Sequence, residues 1–591
     1  MQRFLLVFLA VIGGISILLF FGGFVIFLLS VAAWSGNEKG IPNESVLLIE
    51  FEQPVVETVP DDPFARLLMD DSLTLRDIVD SIDQARDDDH ITALVGRLSG
   101  VQLGFAQLQE VRSAVERFRE SGKPCIAFAE TFGELSPGNT SYYLASAFEK
   151  VYIQPSGDLN LTGLYLEFPF VRGTLEKIGI DPEIDKRWEY KNAADMYLQT
   201  EMTPAHRESS EHLMNGLFAQ ITEGIAESRN MTPEEVRGWI DKCPLIASDA
   251  LDAGFVDGLK YADQVDAELG IRDEAHVVGP TDYVKRAGRP HEGAATLALV
   301  HGYGAIQRGE SSVGGFGGDP VFGAATVARA LREAVDNDRV DAIVFRVNSP
   351  GGSYVASDIV RREVVRAKEK HKPIVVSMGD YAASGGYFVS MGADAIVAQP
   401  GTLTGSIGVY GGKLDMGGLM DKIGVSYDAV ATSQNAGMFS TNKSYSESEW
   451  SHIEQFLDRV YEDFTGKAAS DRGLPLEDLQ EVARGRVWTG KDAVELGLVD
   501  QLGGLDDAAR LALGLADLDP DEGYKFRPFP GPKSTWELIA EKLEERGGTK
   551  AMVRAAHTTL QPVLVLADQL GLGAGDDGVL MMPVPAIRGV N

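Results

Sequence analysis

Short apolar runs and amphipathic stretches alternate along most of the chain. In the first half the continuous apolar runs, which are typical of buried strands, lie at 46–51, 93–95 and 125–128. Apolar positions at helical spacing predict helices over 75–85 and about 105–119. Because strands and helices alternate, the pattern predicts an α/β fold with parallel sheets covered by helices.

The second half of the chain repeats this pattern. It predicts strands at 297–300, 342–345 and 374–377, with a helix over 324–335. Sequence matches accompany the repeated pattern, at a steady offset of about 245 residues. For example, Lys177-Ile178-Gly179-Ile180 matches Lys422-Ile423-Gly424-Val425. These matches predict a tandem duplication of one domain.

The N-terminal stretch from Phe4 to Ala33 has no charged side chain. It is longer than the ~20 residues needed to cross a bilayer, and longer than the 7–15 apolar residues of a cleaved signal peptide. We therefore expect an uncleaved, single-pass anchor followed by a short linker. The predicted organisation is an anchor and linker at 1–40, one repeat at 41–290, a second repeat at 291–530 and a tail at 531–591.

Composition narrows the possible functions. The chain has 591 residues, of which 54 are basic and 87 acidic, for a formal net charge of −33. This balance argues against nucleic acid as a partner, because affinity for phosphate comes from Lys and Arg. Two cysteines cannot make a disulfide framework. No metal-ligand spacing and no phosphate-binding loop is present, so we expect no metal and no cofactor.

The stretch 379–387, Gly-Asp-Tyr-Ala-Ala-Ser-Gly-Gly-Tyr, follows a predicted strand and precedes a short apolar segment. Ser384 is therefore expected at a strand-to-helix turn, where free N–H groups favour developing negative charge. Such a serine is a candidate nucleophile. The alternative is that Ser384 only caps the helix that follows.

A second stretch, 348–353, reads Asn-Ser-Pro-Gly-Gly-Ser directly after a predicted strand. A Pro-Gly-Gly turn there exposes backbone N–H groups suited to an oxyanion hole, and we expect the donors to be the amides of Gly352 and Gly385. Together with Ala-Ser-Gly-Gly-Tyr and the segment 401–409, this stretch resembles the Clp-protease and crotonase-like superfamily. The resemblance is to the signal peptide peptidase A (protease IV) branch in its long, two-repeat form.

The resemblance implies a Ser–Lys dyad whose lysine comes from the first repeat and whose serine comes from the second. It identifies Lys191, within 188–194, as the base, although Asn192 stands where the family usually has serine. The repeat agrees with this division. Ser384 of the second repeat corresponds to Asn139 of the first, and Lys191 of the first corresponds to Gln434 of the second, so each repeat has only one of the two residues. To act as a base, the lysine needs burial that lowers its pKa. His301, at the end of a predicted strand, remains a rival base.

The resemblance also implies a function. It implies a membrane-anchored serine endopeptidase that degrades cleaved signal peptides and other short apolar peptides. It further implies a bowl-shaped homotetramer in the bacterial inner membrane, with the catalytic part facing the periplasm or the outside. The alternatives are a catalytically silent scaffold, a crotonase-type acyl-CoA enzyme, or a related membrane peptidase with one specific protein partner.

Overall fold

The computed structural model describes residues 40–58, 72–271, 274–291, 293–312, 319–531, 579–581 and 587–588. The predicted anchor from Phe4 to Ala33 lies outside these residues. Within the part that is described, no helix is both long enough and apolar enough to span a bilayer.

The first half of the chain forms twelve strands and ten α-helices within its described residues. The strands are β1 Ser45–Glu50, β2 Val55–Val56, β3 Leu73–Thr74, β4 Ile91–Arg97, β5 Cys125–Ala129, β6 Lys150–Ile153, β7 Asp158–Leu159, β8 Tyr165–Leu166, β9 Asp181–Arg187, β10 Leu245–Ile246, β11 Gly258–Leu259 and β12 Val277–Val278. The helices are α1 Leu75–Asp87, α2 Phe105–Arg119, α3 Asn139–Ala145, α4 Arg172–Ile178, α5 Asp195–Leu198, α6 Pro204–Arg229, α7 Pro233–Ile240, α8 Ala247–Asp252, α9 Ala262–Glu268 and α10 Pro280–Ala287.

The second half adds a comparable set. Its strands are β13 Ala295–Tyr303, β14 Ala305–Gln307, β15 Val321–Gly323, β16 Ala342–Ser349, β17 Gly351–Ser353, β18 Ile374–Ala383, β19 Ala395–Ala398, β20 Leu403–Gly405, β21 Val409–Asp415, β22 Val487–Thr489, β23 Gln501–Leu502 and β24 Tyr524–Phe529. Its helices are α11 Ala324–Val335, α12 Tyr354–Glu369, α13 Gly385–Ser390, α14 Gly417–Lys422, α15 Glu447–Arg472, α16 Leu476–Val482, α17 Gly490–Glu495 and α18 Leu505–Leu515. Two short tail strands follow, β25 Val579–Met581 and β26 Ile587–Arg588.

Each half contains a parallel sheet with the same order of strands. In the first half the order is β12-β1-β4-β5-β6-β11, and all five neighbouring pairs are parallel. In the second half β24-β13-β16-β18-β19-β23 follow one another in the same way. The predicted α/β fold with parallel sheets is confirmed, and the matching strand order agrees with a duplicated domain.

Helices cover the sheets because their apolar faces match the faces of the strands. In α1 the side chains of Ile78 and Ile82 are fully buried against the first sheet, as the helical spacing predicts. The side chain of Thr74 starts this helix by accepting a hydrogen bond from the Asp77 N–H at 3.0 Å. Burying each such aliphatic side chain contributes about 1.5–3 kcal/mol to folding.

The two halves are joined by an antiparallel strand pair. β9 of the first half pairs along its whole length with β21 of the second, with Arg187 opposite Val409 and Asp181 opposite Asp415. The chain leaves β9 and turns within four residues to Lys191. Because β21 begins just after the loop that follows β20, this pairing brings a first-half segment to the edge of the second-half sheet.

A buried polar contact joins the halves a second time. Asp380, on β18, accepts hydrogen bonds from the backbone N–H groups of Ala106 at 2.9 Å and Gln107 at 3.1 Å, in the first turn of α2. A Cβ on Gly104 would lie 2.2 Å from this carboxylate. Glycine is therefore needed at position 104 for the carboxylate to reach the helix N-terminus.

Candidate active site

Ser384 lies at a sharp turn between β18 and α13. The strand is longer than predicted and runs through Ala383, so it leads directly into the serine. Ser384 has φ 56° and ψ −115°, a conformation that costs a non-glycine residue about 1–3 kcal/mol. Its backbone N–H donates to the Gly405 carbonyl at 2.8 Å. Its side chain does not cap α13, so the capping alternative is wrong.

Lys191 meets Ser384 in the protein interior. Its Nζ lies 2.8 Å from the Ser384 Oγ. Both residues are completely buried. The backbone of Lys191 packs tightly against Gly485, where an added Cβ would lie 2.6 Å from the backbone nitrogen of Lys191. The structure thus brings together the two residues that the sequence assigned to different halves of the chain.

The surroundings of Lys191 favour a neutral amine. Burial lowers the pKa of Lys191 well below its ordinary value, and desolvation of the ammonium form is the cause. No carboxylate bonds to the Nζ in the described structure, so no nearby negative charge offsets the effect of burial. A neutral amine next to a serine hydroxyl can accept its proton.

Ser406 is a third residue at this site, and it was missed by sequence reasoning. Its backbone carbonyl lies 2.9 Å and its Oγ 3.0 Å from the Lys191 Nζ. It follows β20 and has a positive φ of 51°. The segment 401–409 contributed to the family resemblance, but nothing in it indicated that this hydroxyl reaches the lysine.

The two glycines predicted to form an oxyanion hole lie next to each other. Gly352, on β17, packs so closely against β14 that a Cβ would lie 2.1 Å from the Ile306 carbonyl oxygen. A Cβ on Gly385 would lie 3.0 Å from the Gly352 nitrogen. Gly352 therefore packs against Gly385, the residue that follows Ser384, and a side chain at either position would force the two apart.

An extended segment of the tail lies along this edge. β25 pairs antiparallel with β17, with residue 580 opposite Gly352, and residue 579 also pairs with Tyr410 on β21. A backbone in extended conformation therefore fits between the strand that carries Gly352 and the strand that follows Ser406.

His301, the rival base, lies in a different cluster. It is partly buried beside Glu57 and Arg346, and desolvation of its ring lowers its pKa to about 4. Its Nδ1 has no hydrogen-bond partner among the described residues. In the structure Lys191, and not His301, contacts the Ser384 hydroxyl.

The residues that correspond to Ser384 and Lys191 in the opposite repeats make different contacts. Asn139 begins α3, and its side chain bonds the carbonyl and the N–H of Gly163 at 2.8 and 3.2 Å. Gln434, the counterpart of Lys191, lies in an exposed loop. No group of three or more His, Cys, Asp or Glu side chains suited to a metal ion occurs in the described part of the chain.

Known proteins match this chain in both of its halves. A model of peptidase family S49 matches residues 117–276 and 366–519, one region in each half. Protease 4 of Salmonella typhi is 34% identical over 521 residues, covering 85% of this chain and 81% of that protein. The chloroplastic serine protease SPPA of Arabidopsis thaliana is 29% identical, covering 76% of this chain and 66% of that protein.

Shorter and more distant proteins also match. A putative signal peptide peptidase SppA of Enterococcus faecium is 34% identical, covering 41% of this chain and 68% of that protein. A solved ClpP1 mutant from Listeria monocytogenes is 17% identical, covering 36% of this chain and 93% of its own, with a TM-score of 0.23, too loose a superposition to bear on the fold. With the family model matched in both halves and Protease 4 similar over most of its length, this chain belongs to peptidase family S49 and is a serine-type peptidase.

Proposed function

We propose that this peptidase uses a Ser384–Lys191 dyad. The observation that carries the proposal is the 2.8 Å contact between the Lys191 Nζ and the Ser384 Oγ. Ser384 Oγ attacks a peptide carbonyl carbon while its proton passes to the neutral Nζ. When the C–N bond breaks, the Nζ returns that proton to the leaving amine. Water then attacks the ester by the same route and releases the new carboxyl group.

Two further features support this mechanism. We assign the amides of Gly352 and Gly385 as the donors to the oxyanion of the tetrahedral intermediate, because the two glycines pack against each other next to Ser384. Ser406 fixes the Nζ through its hydroxyl and its carbonyl, which holds the amine on the side of the serine. No cofactor or metal has a role in these steps.

The slot occupied by β25 supports a peptide as the substrate. A substrate in extended conformation would pair with Gly351–Ser353 as β25 does, with backbone hydrogen bonds that do not depend on its sequence. Such pairing would lay a scissile carbonyl across Gly352, beside the nucleophile. In this proposal the tail strand β25 and the substrate compete for the same edge of β17.

We place this activity at a membrane and assign it short apolar peptides, including remnants of cleaved signal peptides. The uncharged stretch from Phe4 to Ala33 supports an anchor in the bacterial inner membrane, with the catalytic part facing the periplasm or the outside. The name of the Enterococcus faecium relative supports signal peptides as substrates. A homotetramer is the assembly we propose.

Peptide hydrolysis by matched variants tests the dyad. Full-length protein in detergent, with a fluorogenic apolar peptide, should lose at least ~10³-fold in kcat on Ser384→Ala or Lys191→Ala. Lys443→Ala is the matched control, because Lys443 binds Glu449 at 2.7 Å and has no contact with the dyad. Thermal unfolding of each variant checks that the fold persists. Activity retained by Lys191→Ala would overturn the proposed base.

A further inference from the structure

A short loop of the second half lies between two segments of the dyad site. It comprises residues 484–486, in the connection from α16 to β22. On one side it contacts the turn that carries Lys191, and on the other side it contacts the loop that carries Ser406. The backbone of 484–486 makes these contacts, so they depend on the path of the loop and on the space that its residues leave free.

Hydrogen bonds and close packing form the contact with the lysine turn. The Arg484 carbonyl accepts hydrogen bonds from the N–H groups of Trp188 at 3.3 Å and Tyr190 at 3.2 Å. Gly485 then packs on Lys191, because a Cβ at position 485 would lie 2.6 Å from the Lys191 Cβ and 2.7 Å from its Cα. Carbon atoms make favourable contact only at about 3.5–4.0 Å. A side chain at position 485 would therefore displace the lysine.

Two backbone hydrogen bonds form the contact with the Ser406 loop. The Gly485 N–H donates to the Ile407 carbonyl at 2.8 Å, and the Ser406 N–H donates to the Arg486 carbonyl at 2.7 Å. Ser406 in turn contacts the Lys191 Nζ through its hydroxyl and its carbonyl. The same three-residue loop thus holds the backbone of the lysine and the backbone of the serine that contacts its amine.

The loop follows this path with two residues in the left-handed region. Arg484 has φ 53° and Gly485 has φ 83°. Glycine adopts such angles without steric cost, whereas alanine is strained there. Alanine at position 485 would therefore have two effects, backbone strain and a clash with Lys191. Gly473, at the end of α15, has φ 65° and no atom within 4 Å of an added Cβ, so alanine there has only the first effect.

The other repeat has no glycine at the corresponding position. At the offset of 243 that relates Asp249 to Asp492, Gly485 corresponds to Lys242. The ammonium group of Lys242 lies over the Trp239 ring, 4.2 Å from the ring centroid. A long side chain is therefore accommodated in the repeat whose loop does not meet the base. Glycine occupies this position only in the repeat whose loop does.

We propose that Gly485 is a positioning residue, which sets the reach of the Lys191 amine to the Ser384 hydroxyl by leaving room for the lysine backbone. This role rests on the dyad proposed above and adds to it a residue that contacts Lys191 away from the reacting atoms. The Nζ–Oγ distance is 2.8 Å, so a displacement of about 1 Å takes the pair out of hydrogen-bond range. A misplacement of that size can cost ~10²-fold in rate.

Gly485→Ala and its matched control Gly473→Ala test this role in full-length protein in detergent. Both variants strain a left-handed position, but only Gly485→Ala clashes with Lys191. With a fluorogenic apolar peptide, Gly485→Ala should lower kcat by roughly 10²-fold and leave KM unchanged, because the change acts on the base. Gly473→Ala should keep the wild-type constants. A folded Gly485→Ala protein with the kcat of Gly473→Ala would overturn the proposal.

An asparagine pair repeats the test with less backbone strain. Asparagine tolerates the left-handed region better than alanine does, yet it carries the same Cβ. Gly485→Asn should therefore fold, as thermal unfolding will show, and should lose kcat as Gly485→Ala does. Gly473→Asn is its control. Wild-type kcat in folded Gly485→Asn would contradict the proposed clash with Lys191.

Coupling to the base distinguishes positioning from a general disturbance of the site. Gly485→Ala should slow fluorophosphonate labelling of Ser384 in the wild type, but should have no further effect on Lys191→Met, which has no base to misplace. An equal further loss in Lys191→Met would overturn the positioning role. Labelling of Lys191→Met at the wild-type rate is a separate result, which would overturn the dyad itself.

Discussion

Ser384, Lys191 and Ser406 come from three separate segments of the chain and meet only in the folded protein. Ser384 could be predicted because its glycine-rich turn follows a recognisable strand. Lys191 rested on the family resemblance and on the repeat, since a lone lysine is ordinarily a surface residue. Ser406 could not be predicted, because its contact with the lysine depends on where the loop after β20 meets the other half.

The contact between Ser406 and Lys191 can be tested by a single substitution. Ser406→Ala removes one bond to the Lys191 Nζ and leaves the carbonyl contact, so the amine loses part of its orientation. One such hydrogen bond is worth about 1 kcal/mol, which corresponds to roughly a five- to tenfold lower kcat. Steady-state kinetics should show the loss in kcat and little change in KM. Ser433→Ala, at an exposed position, is the control, and an equal loss there would contradict the role of Ser406.

Among the helices and strands, local pattern predicted the central strands of both sheets and several of the helices that cover them, but not the long helices α6 and α15. The helices expected over 105–119 and 324–335 have those bounds in the structure. The pairing of β9 with β21 was not predicted, because it joins segments more than two hundred residues apart and no local signal sets its register. That pairing brings Lys191 next to Ser384, so the proposed dyad depends on the contact that was hardest to predict.

The contact between β18 and α2 makes stability depend on pH. Burial, with Glu57 nearby, raises the pKa of Asp380 to about 7. Between about pH 4 and 7 this carboxyl therefore binds more protons in the folded protein than in the unfolded chain. Its protonation stabilises the folded state at low pH, and this stabilisation is lost as the pH rises through 7. In Asp380→Asn the amide oxygen should still accept the hydrogen bonds from the N–H groups of α2, but the side chain can no longer ionise.

We expect Asp380→Asn to flatten the dependence of the unfolding free energy on pH between about 4 and 8, and to be more stable than the wild type above pH 7. Urea unfolding at several pH values measures this. Asp428→Asn, at an exposed carboxylate, should leave the wild-type profile unchanged. An Asp380→Asn profile that follows the wild type at every pH would contradict the assigned titration.

The tail strand β25 gives a second prediction about elements. A chain ending at Gly531 lacks the residues that pair with Gly351–Ser353 but keeps β24 and the second sheet. Because the tail and the substrate would compete for one edge, the shortened chain should have a KM several times lower and an unchanged kcat. Hydrolysis of a fluorogenic apolar peptide measures both constants. An unchanged KM would mean that the tail does not compete.

Duplication followed by divergence explains how the two halves of the chain differ at the site. The two halves share a strand order, yet only the second keeps a serine at the turn and only the first keeps a lysine at the matching position. The sequence predicted the duplication and this division of residues. The relative placement of the halves could not be predicted, because it depends on contacts such as those of Asp380 and Gly104 that have meaning only in three dimensions.

In the mechanism we propose, a buried, neutral Lys191 activates Ser384 across the two halves. The rate at which a fluorophosphonate labels Ser384, followed against pH in the wild type and in Lys191→Met, tests this most directly. We predict that wild-type labelling rises with pH as the amine loses its proton, and that labelling of Lys191→Met is at least ~10²-fold slower and lacks this rise. Labelling of Lys191→Met at the wild-type rate, with the same pH profile, would contradict it.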